Sequence, residues 1–184
     1  MATSKKDKDS ANDTGISETK IDTWKQMDLS KICKVKEICN GRATFPIPVE
    51  FTKMSEKMIS MKYRSSNVRP TEAFTDSKGA VNLGFRITSQ VASQVDLAQI
   101  ADEMLGQFHA LNFKNINGEI KRVNGRDVIV FQFISPAIDT EIYNLIFATD
   151  IDGKLMVGTF NCVIRLKNQW ESKAKTMLSS LRVE

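Results

Sequence analysis

Histidine is almost absent from this sequence, and its scarcity excludes the commonest catalytic designs. His109 is the one histidine in the chain, whereas zinc sites and Ser-His-Asp triads need imidazole at defined places. We expect His109 to lie beside Phe108 at the border of a helix's apolar stripe, and not to act as a base. The sequence also lacks a glycine-rich phosphate loop, a nucleophile elbow and a His-Glu-x-x-His motif. No catalytic residue, metal ligand or cofactor is therefore predicted.

Long apolar runs are missing as well. No stretch approaches the roughly 18 uncharged apolar residues of a membrane span, and the beginning MATSKKDKDS has no apolar run typical of a signal sequence. The sequence as written predicts a soluble cytoplasmic protein without a membrane span. The alternative is a periplasmic or envelope lipoprotein whose signal peptide and lipidated cysteine have been removed, because lipoprotein tethers share the Ser/Asp/Lys composition of residues 1–20.

Cysteine is too sparse for a disulfide framework. Cys33 and Cys39 are six residues apart, which is about 20 Å along a strand or about 9 Å along a helix. Both distances exceed the limit of roughly 7 Å between the Cα atoms of a disulfide, so these two residues do not bridge each other. Cys162 lies in a predicted apolar strand, where a thiol acts as a small hydrophobe. A disulfide from Cys33 or Cys39 to Cys162 remains an alternative for an exported form.

The composition that is present predicts one globular domain with a tail. The 184 residues are 41% hydrophobic and 26% charged, as in an ordinary folded domain. The net charge of +4 is small and dispersed, so nucleic acid is not an expected partner. Residues 1–20 have few apolar side chains and predict a disordered tail or tether. The single domain is expected over residues 21–184, beginning with a helical turn at Ile21, Trp24 and Met27.

Three short turn signals predict antiparallel strands. Asn40-Gly41 lies between residues 31–39 and 42–45, Asn124-Gly125 between residues 119–123 and 126–134, and Asp152-Gly153 between residues 141–149 and 154–166. Such dipeptides accept the positive φ angles of a two-residue hairpin turn. The second half of the chain therefore predicts a four-stranded antiparallel meander. Residues 128–134 are apolar except Gln132, so layers on both sides of this sheet are expected.

Two amphipathic helices can supply those layers. One is expected to begin at Asp96, with Gln99 three residues later and Val95 contacting Ile100 as a hydrophobic staple. The other is expected to begin at Asn168, with Glu171 completing the cap. Apolar stripes support both helices: Leu97, Ile100, Ala101, Met104, Leu105, Phe108 and Leu111 in the first, and Trp170, Ala174, Met177, Leu178 and Leu181 in the second. An alternating strand from Val81 precedes the first helix, which gives the order β-α-β-β-β-β-α. The four prolines are expected outside all of these elements.

The order of elements and several short segments resemble the DcrB-like branch of the PsbP-like superfamily over about residues 43–183. The segments are FPIP, a methionine-containing helix, RPTEAFTDSKGAVNLGF, the helix from Asp96, VNGRDVIVFQF, IYNLIF, DGKLMVGTFNC and a Trp-led helix ending in SSL. The resemblance implies an α+β fold, a three-layer α/β/α sandwich around a mainly antiparallel sheet. It also implies a non-catalytic protein that binds partners as an accessory subunit, envelope lipoprotein or chaperone. It provides no catalytic residues.

Carboxylate pairs offer the alternative of an enzyme. Asp102-Glu103 and Asp150 with Asp152 could serve a hydrolase that works without a histidine base. We expect the first pair on the polar face of its helix and the second in a hairpin turn, since Lys154 stands where a calcium loop needs the next acid. Solvated charge is the favoured interpretation of both pairs, and we predict that the protein is not an enzyme.

A basic, methionine-containing segment is the candidate partner site. Residues 53–69 carry a net charge of +4 and place Met54, Met58 and Met61 at helical spacing in a short helix after Ser55 or Lys53. Methionine surfaces adapt to varied partners, so we predict a hydrophobic or acidic protein partner. The candidate residues are Lys57, Met58, Lys62 and Arg64, with the charged groups pointing outward. The competing interpretation buries all three methionines in the core.

Overall fold

The computed structural model of the protein describes residues 27–184. The predicted tail at residues 1–20 lies outside the described residues, as do Ile21 and Trp24 of the predicted helical turn. The strands are Cys33–Ile38 (β1), Ala43–Pro48 (β2), Thr52–Lys53 (β3), Glu72–Thr75 (β4), Val81–Val91 (β5), Lys114–Val123 (β6), Arg126–Pro136 (β7), Glu141–Ile151 (β8), Lys154–Val163 (β9) and Arg182–Val183 (β10). The helices are Glu56–Lys62 (α1), Leu97–Ala110 (α2) and Lys167–Ser179 (α3).

Seven strands form the central sheet in the order β3-β4-β5-β9-β8-β7-β6, and every neighbouring pair is antiparallel. The predicted meander is therefore confirmed. Asn124-Gly125 and Asp152-Gly153 form its two-residue turns, with positive φ at all four positions. The β1–β2 hairpin is also confirmed, but Ile38 pairs with Ala43, so its loop has four residues and not two.

One face of the central sheet is covered by α3 together with a second sheet of order β1-β2-β10. Trp170 and the other apolar residues of the predicted stripe on α3 are buried in this layer. The expectation that all prolines lie outside the strands is wrong, because Pro46 and Pro48 belong to β2 and Pro136 ends β7. Strand β10 pairs only with Ala43 and Thr44, so the part of β2 that contains the prolines has β1 as its one strand neighbour within this sheet, which tolerates missing N–H groups.

The opposite face is covered by α2 over strands β6 and β7 and by α1 over strand β4. Ile100, Ala101 and Phe108 of the predicted stripe are buried, while Leu111 is exposed. Beside α2 the sheet surface of β5 and β9 lies beneath a groove, whose outer rim includes residues of the segment 68–70. Both faces of the sheet thus carry outer layers, as predicted, but the two layers differ in completeness.

The helix α2 begins directly after Asp96, as predicted. The predicted side-chain caps of both long helices are wrong, because short 3₁₀ turns precede them. The Asp96 carboxylate accepts hydrogen bonds from the Ser93 backbone N–H and hydroxyl, and does not cap α2. Val95 is 89% exposed, so no staple with Ile100 forms. The helix α3 begins at Lys167 after the 3₁₀ turn Ile164–Leu166, which leaves Asn168 inside its first turn.

Candidate functional site

The helix α1 is a small unit attached to one edge of the sheet. The Ser55 hydroxyl accepts a hydrogen bond of 3.3 Å from the Met58 N–H and caps the helix, as one of the two predicted starting points requires. Ile59 packs with Met54, Ala73 and the partly buried Tyr63 in a cluster separate from the two main cores. So few apolar contacts hold α1 that most of its surface faces outward.

The outward surface of α1 combines methionines with positive charge. Met58 is 42% exposed and Met61 is 66% exposed, whereas Met54 is only 3% exposed. Lys57 and Arg64 are exposed beside them. Met58 and Met61 are three residues apart and so lie on one face of the helix. We call Lys57, Met58, Met61 and Arg64 the α1 surface.

Lys62, the fourth predicted site residue, holds α1 to the sheet. Its Nζ donates hydrogen bonds to the Gly79 carbonyl at 2.5 Å and to Asn82 Oδ1 at 2.9 Å. Burial lowers the pKa of the Lys62 amine, while the Asp76 charge opposes that shift. The amine of Lys62 is therefore engaged within the fold, and we do not include this residue in the α1 surface.

Lys62 lies at one end of a polar network that the sequence did not predict. The Thr75 hydroxyl donates to Asn82 Oδ1 at 2.8 Å, and Asn82 Nδ2 donates to Asn161 Oδ1 at 2.9 Å. Thr75 and Asn82 are buried, and buried polar groups of this kind require partners. The only sequence signal was that Asn82 and Asn161 each stand between two apolar residues in their strands, which does not reveal that they pair across β5 and β9.

The groove between α2 and the segment 68–70, which follows α1, has a volume of about 190 Å³. Its sheet side includes Gly84 and Arg86 of β5 and Thr159 of β9, and its outer rim includes Val68 and Pro70. Gly84 allows the rim to approach the sheet closely, because an added Cβ would lie 3.0 Å from both Pro70 Cβ and Thr159 Oγ1. The side chain of Arg86 reaches from β5 toward the outer rim, where its Nη1 donates a hydrogen bond to the Asn67 carbonyl.

The predicted carboxylate pairs are not brought together as an acid and base pair. Asp102 and Glu103 are exposed on α2, as expected. Asp150 is not in the turn but in β8, where its carboxylate accepts from Arg126 Nη1 at 3.0 Å. Asp152 is in the turn and forms an ion pair of 2.9 Å with Arg42. These contacts hold strand ends together.

The remaining candidates for chemistry are also structural in position. Cys33, Cys39 and Cys162 are buried and free, and burial raises the pKa of their thiols to about 11, about 11 and about 12. His109 is exposed on α2. Within residues 27–184 no group of three or more His, Cys, Asp or Glu side chains is arranged to hold a metal ion. None of the helices in this part of the chain is long and apolar enough to cross a membrane.

Comparison with known proteins gives a fold but no family. No family model and no curated protein matches the chain. Among solved structures, cyanobacterial PsbP (CyanoP) from Synechocystis sp. PCC 6803 is similar with a TM-score of 0.59 and 14% identity, over 83% of this chain and 93% of that chain. The Ran-binding protein Mog1p of Saccharomyces cerevisiae has a TM-score of 0.48 and 11% identity, over 82% and 95% of the two chains.

A third similar structure is LpqN of Mycobacterium tuberculosis, described as involved in cell envelope biogenesis. Its TM-score is 0.42 at 10% identity, over 77% of this chain and 82% of that chain. The TM-scores of Mog1p and LpqN are below 0.5, so the fold is assigned from CyanoP. The likeness to CyanoP shows that the chain has a PsbP-like fold, a mixed α and β architecture with antiparallel sheets, and the predicted fold class is confirmed.

Proposed function

We propose that this protein is a non-catalytic binding or accessory protein, and that it contacts a protein partner through the α1 surface. The observation that carries the proposal is the exposure of Met58 and Met61, at 42% and 66%, beside two cations. The competing interpretation, in which the methionines are core residues, requires them to be buried. Only Met54 meets that requirement.

The chemistry of the α1 surface defines the partner it would fit. Lys57 and Arg64 supply positive charge, and the two methionine side chains supply flexible apolar area. An acidic partner surface with a hydrophobic centre complements both properties. Lys62 supports this surface from within, because its bonds to Gly79 and Asn82 anchor the end of α1.

The proposal includes membership of the DcrB-like branch of the PsbP-like superfamily, on the segments quoted from residues 43–183. Accessory and binding roles are the rule among the proteins that the sequence resembles. The cytoplasm and the bacterial envelope are both compatible with a surface of this kind, since neither the exposed methionines nor the cations depend on the compartment.

Charge reversal tests the proposal. The variant Lys57→Glu with Arg64→Glu should reduce partner recovery from native cells at least about tenfold, because like charges that face each other across an interface cost several kcal/mol. Its unfolding free energy should stay within about 0.5 kcal/mol of wild type. The matched control is Lys34→Glu with Lys154→Glu, which reverses two exposed lysines outside residues 53–69.

The control variant should recover the partner like wild type. Equal recovery by the α1 variant and wild type would reject the α1 surface. Equal loss in the α1 and control variants would show that binding depends on net charge and not on this surface. Partner identity is read by mass spectrometry of the recovered protein.

A further inference from the structure

The groove between α2 and the segment 68–70 is a second site, separate from the α1 surface. It lies on the sheet face that α1 and α2 share, above β5 and β9. Its volume of about 190 Å³ compares with the roughly 150 Å³ of a cavity that binds benzene. The groove can therefore accept a chain or ring of about six to eight carbon atoms.

The floor of the groove is apolar. It is built by side chains of α2 on one side and of the central strands on the other: Ile100, Met104, Phe108, Ile146, Leu155 and Val157. Ile100, Phe108 and Leu155 are buried parts of the core, and the other three are partly buried. This floor exists without any ligand, so binding would not require the core to rearrange.

One cation stands at the polar side of this floor. Arg86 is partly buried and, among residues 27–184, forms no ion pair with a carboxylate. A guanidinium has five N–H donors, and the carbonyl of Asn67 is the acceptor that the fold gives to Nη1. Donors thus remain for a ligand that enters the groove.

Within the described part of the chain, Glu103 is the one acid that lines the groove, and it forms no ion pair with Arg86. Glu103 lies on α2, and its Oε1 accepts a hydrogen bond of 3.0 Å from Gln99 Nε2 one helical turn away. Burial lowers the pKa of the Arg86 guanidinium, and no carboxylate opposes this effect. A carboxylate delivered by a ligand would supply the missing charge in a bidentate geometry that suits arginine.

We propose that this groove binds small amphipathic carboxylates, with the carboxylate on Arg86 and the hydrocarbon part on the floor formed by α2, β8 and β9. The ligand class is a free monocarboxylate of about six to eight carbons, as the volume and the single cation require. The α1 surface contributes no residue to this site, so each of the two proposals can be rejected without affecting the other.

Sodium octanoate is the probe, titrated into the isotopically labelled full chain and followed by NMR. Saturable shifts are expected at backbone amides around the groove in β5, β9 and α2. Octylamine and octanol have the same chain length without the carboxylate. Octanoate should bind more tightly than octanol, and octylamine more weakly than either, because its ammonium group would face Arg86.

Arg86→Gln should weaken octanoate binding about 10- to 100-fold, the range for a lost hydrogen bond between charged groups. It should leave octanol binding within about twofold, since the apolar floor is unchanged. Arg182→Gln is the matched control, because Arg182 is exposed on β10 in the layer across the sheet, and it should bind octanoate like wild type.

A second variant tests the floor independently of the charge. Val157→Phe should abolish binding of octanoate and octanol together by filling the groove, while the amide spectrum of each variant verifies folding. The proposal is overturned by the absence of saturable binding of octanoate, by shifts confined to another surface, or by unchanged octanoate affinity in folded Arg86→Gln.

Discussion

The two faces of the central sheet are covered to different extents, and the difference separates stability from binding. Six spacings of about 4.8 Å make a seven-stranded sheet roughly 29 Å wide, whereas one helix covers about 10 Å. On the first face, α3 is joined by the sheet β1-β2-β10, and the two together close the layer. On the second face, α2 and the short α1 leave β5 and β9 under an open groove. We call these the closed face and the half-open face.

The packing of aromatic residues shows what closure achieves. On the closed face Phe45 stacks on Phe147 at 5.5 Å and meets Phe85 edge-on at 5.2 Å, and Trp170 lies 6.0 Å from Phe160. Such contacts stabilise beyond the area they bury. The half-open face concentrates its aromatic contacts beneath α2, at Phe108, Phe113, Phe131 and Phe133. We infer that the closed face stabilises the fold and the half-open face is available to ligands.

The largest expected effect is on the closed face. Trp170→Ala should lower the free energy of unfolding by about 3 to 5 kcal/mol, because it removes a side chain that is 6% exposed between α3 and the sheet. Urea denaturation followed by circular dichroism measures this change. An unchanged midpoint would mean that the closed face does not carry the stability assigned to it.

Two glycine substitutions compare the faces directly. A Cβ at Gly158 would lie 2.1 Å from the buried Phe147 ring, whereas a Cβ at Gly84 would lie 3.0 Å from the groove residues Pro70 and Thr159. Gly158→Ala should cost about 1 to 3 kcal/mol or more, the range for overpacking, and Gly84→Ala should cost less because the rim of the groove can move. A larger loss at Gly84, in the same urea experiment, would reverse the proposed difference in rigidity.

The three cysteines all belong to the core of the closed face. Burial raises the pKa of the Cys162 thiol from 9.0 to about 12, so the unfolded state loses this proton at lower pH than the folded state. The contribution of the protonated thiol to the free energy of unfolding is therefore fully present below pH 9.0. It is lost as the pH rises toward 12, by at most about 1.4 kcal/mol per pH unit for each thiol. The denaturation midpoints of wild type and Cys162→Ala between pH 8 and about 10.5 measure this loss of stability. A variant whose pH dependence equals that of wild type would contradict the prediction.

The smallest expected effect is a gain on the half-open face. Nothing lies within 4 Å of a Cβ built at Gly106 of α2, and this residue is exposed. Gly106→Ala should therefore stabilise the protein by about 0.5 to 1 kcal/mol through helix propensity alone. A loss of stability in thermal denaturation would indicate that another part of the protein packs against α2 at Gly106.

Periodicity predicted the parts of this fold that depend on nearby residues. Local rules predict the turns at Asn124-Gly125 and Asp152-Gly153, the stripe of α3 and the strand from Val81, and each is confirmed. The caps at Asp96 and Asn168 were wrong because a 3₁₀ turn can precede a helix without changing its apolar stripe. Boundaries of this kind depend on one or two dihedral angles, which periodicity does not report.

The candidate sites depended on longer-range facts. Sequence spacing put a short helix after Ser55 or Lys53, and the structure selects Ser55, but spacing could not tell that Lys62 reaches Gly79 and Asn82. Arg86 gave no signal at all, because its isolation from carboxylates is a property of the folded surroundings. The groove itself follows from the width of the sheet relative to its helices, which no single segment encodes.

The central proposal is that the half-open face contacts a protein partner at the α1 surface. Site-specific photo-crosslinking in native cells tests it, with the crosslinking residue at Met58 or at Val35, which is 70% exposed on β1 in the opposite layer. We expect a discrete crosslinked protein from position 58, and we expect it to disappear when Lys57 and Arg64 are replaced by Glu. No crosslinked protein is expected from position 35. The same product from position 35, or no product from position 58, would contradict the proposal.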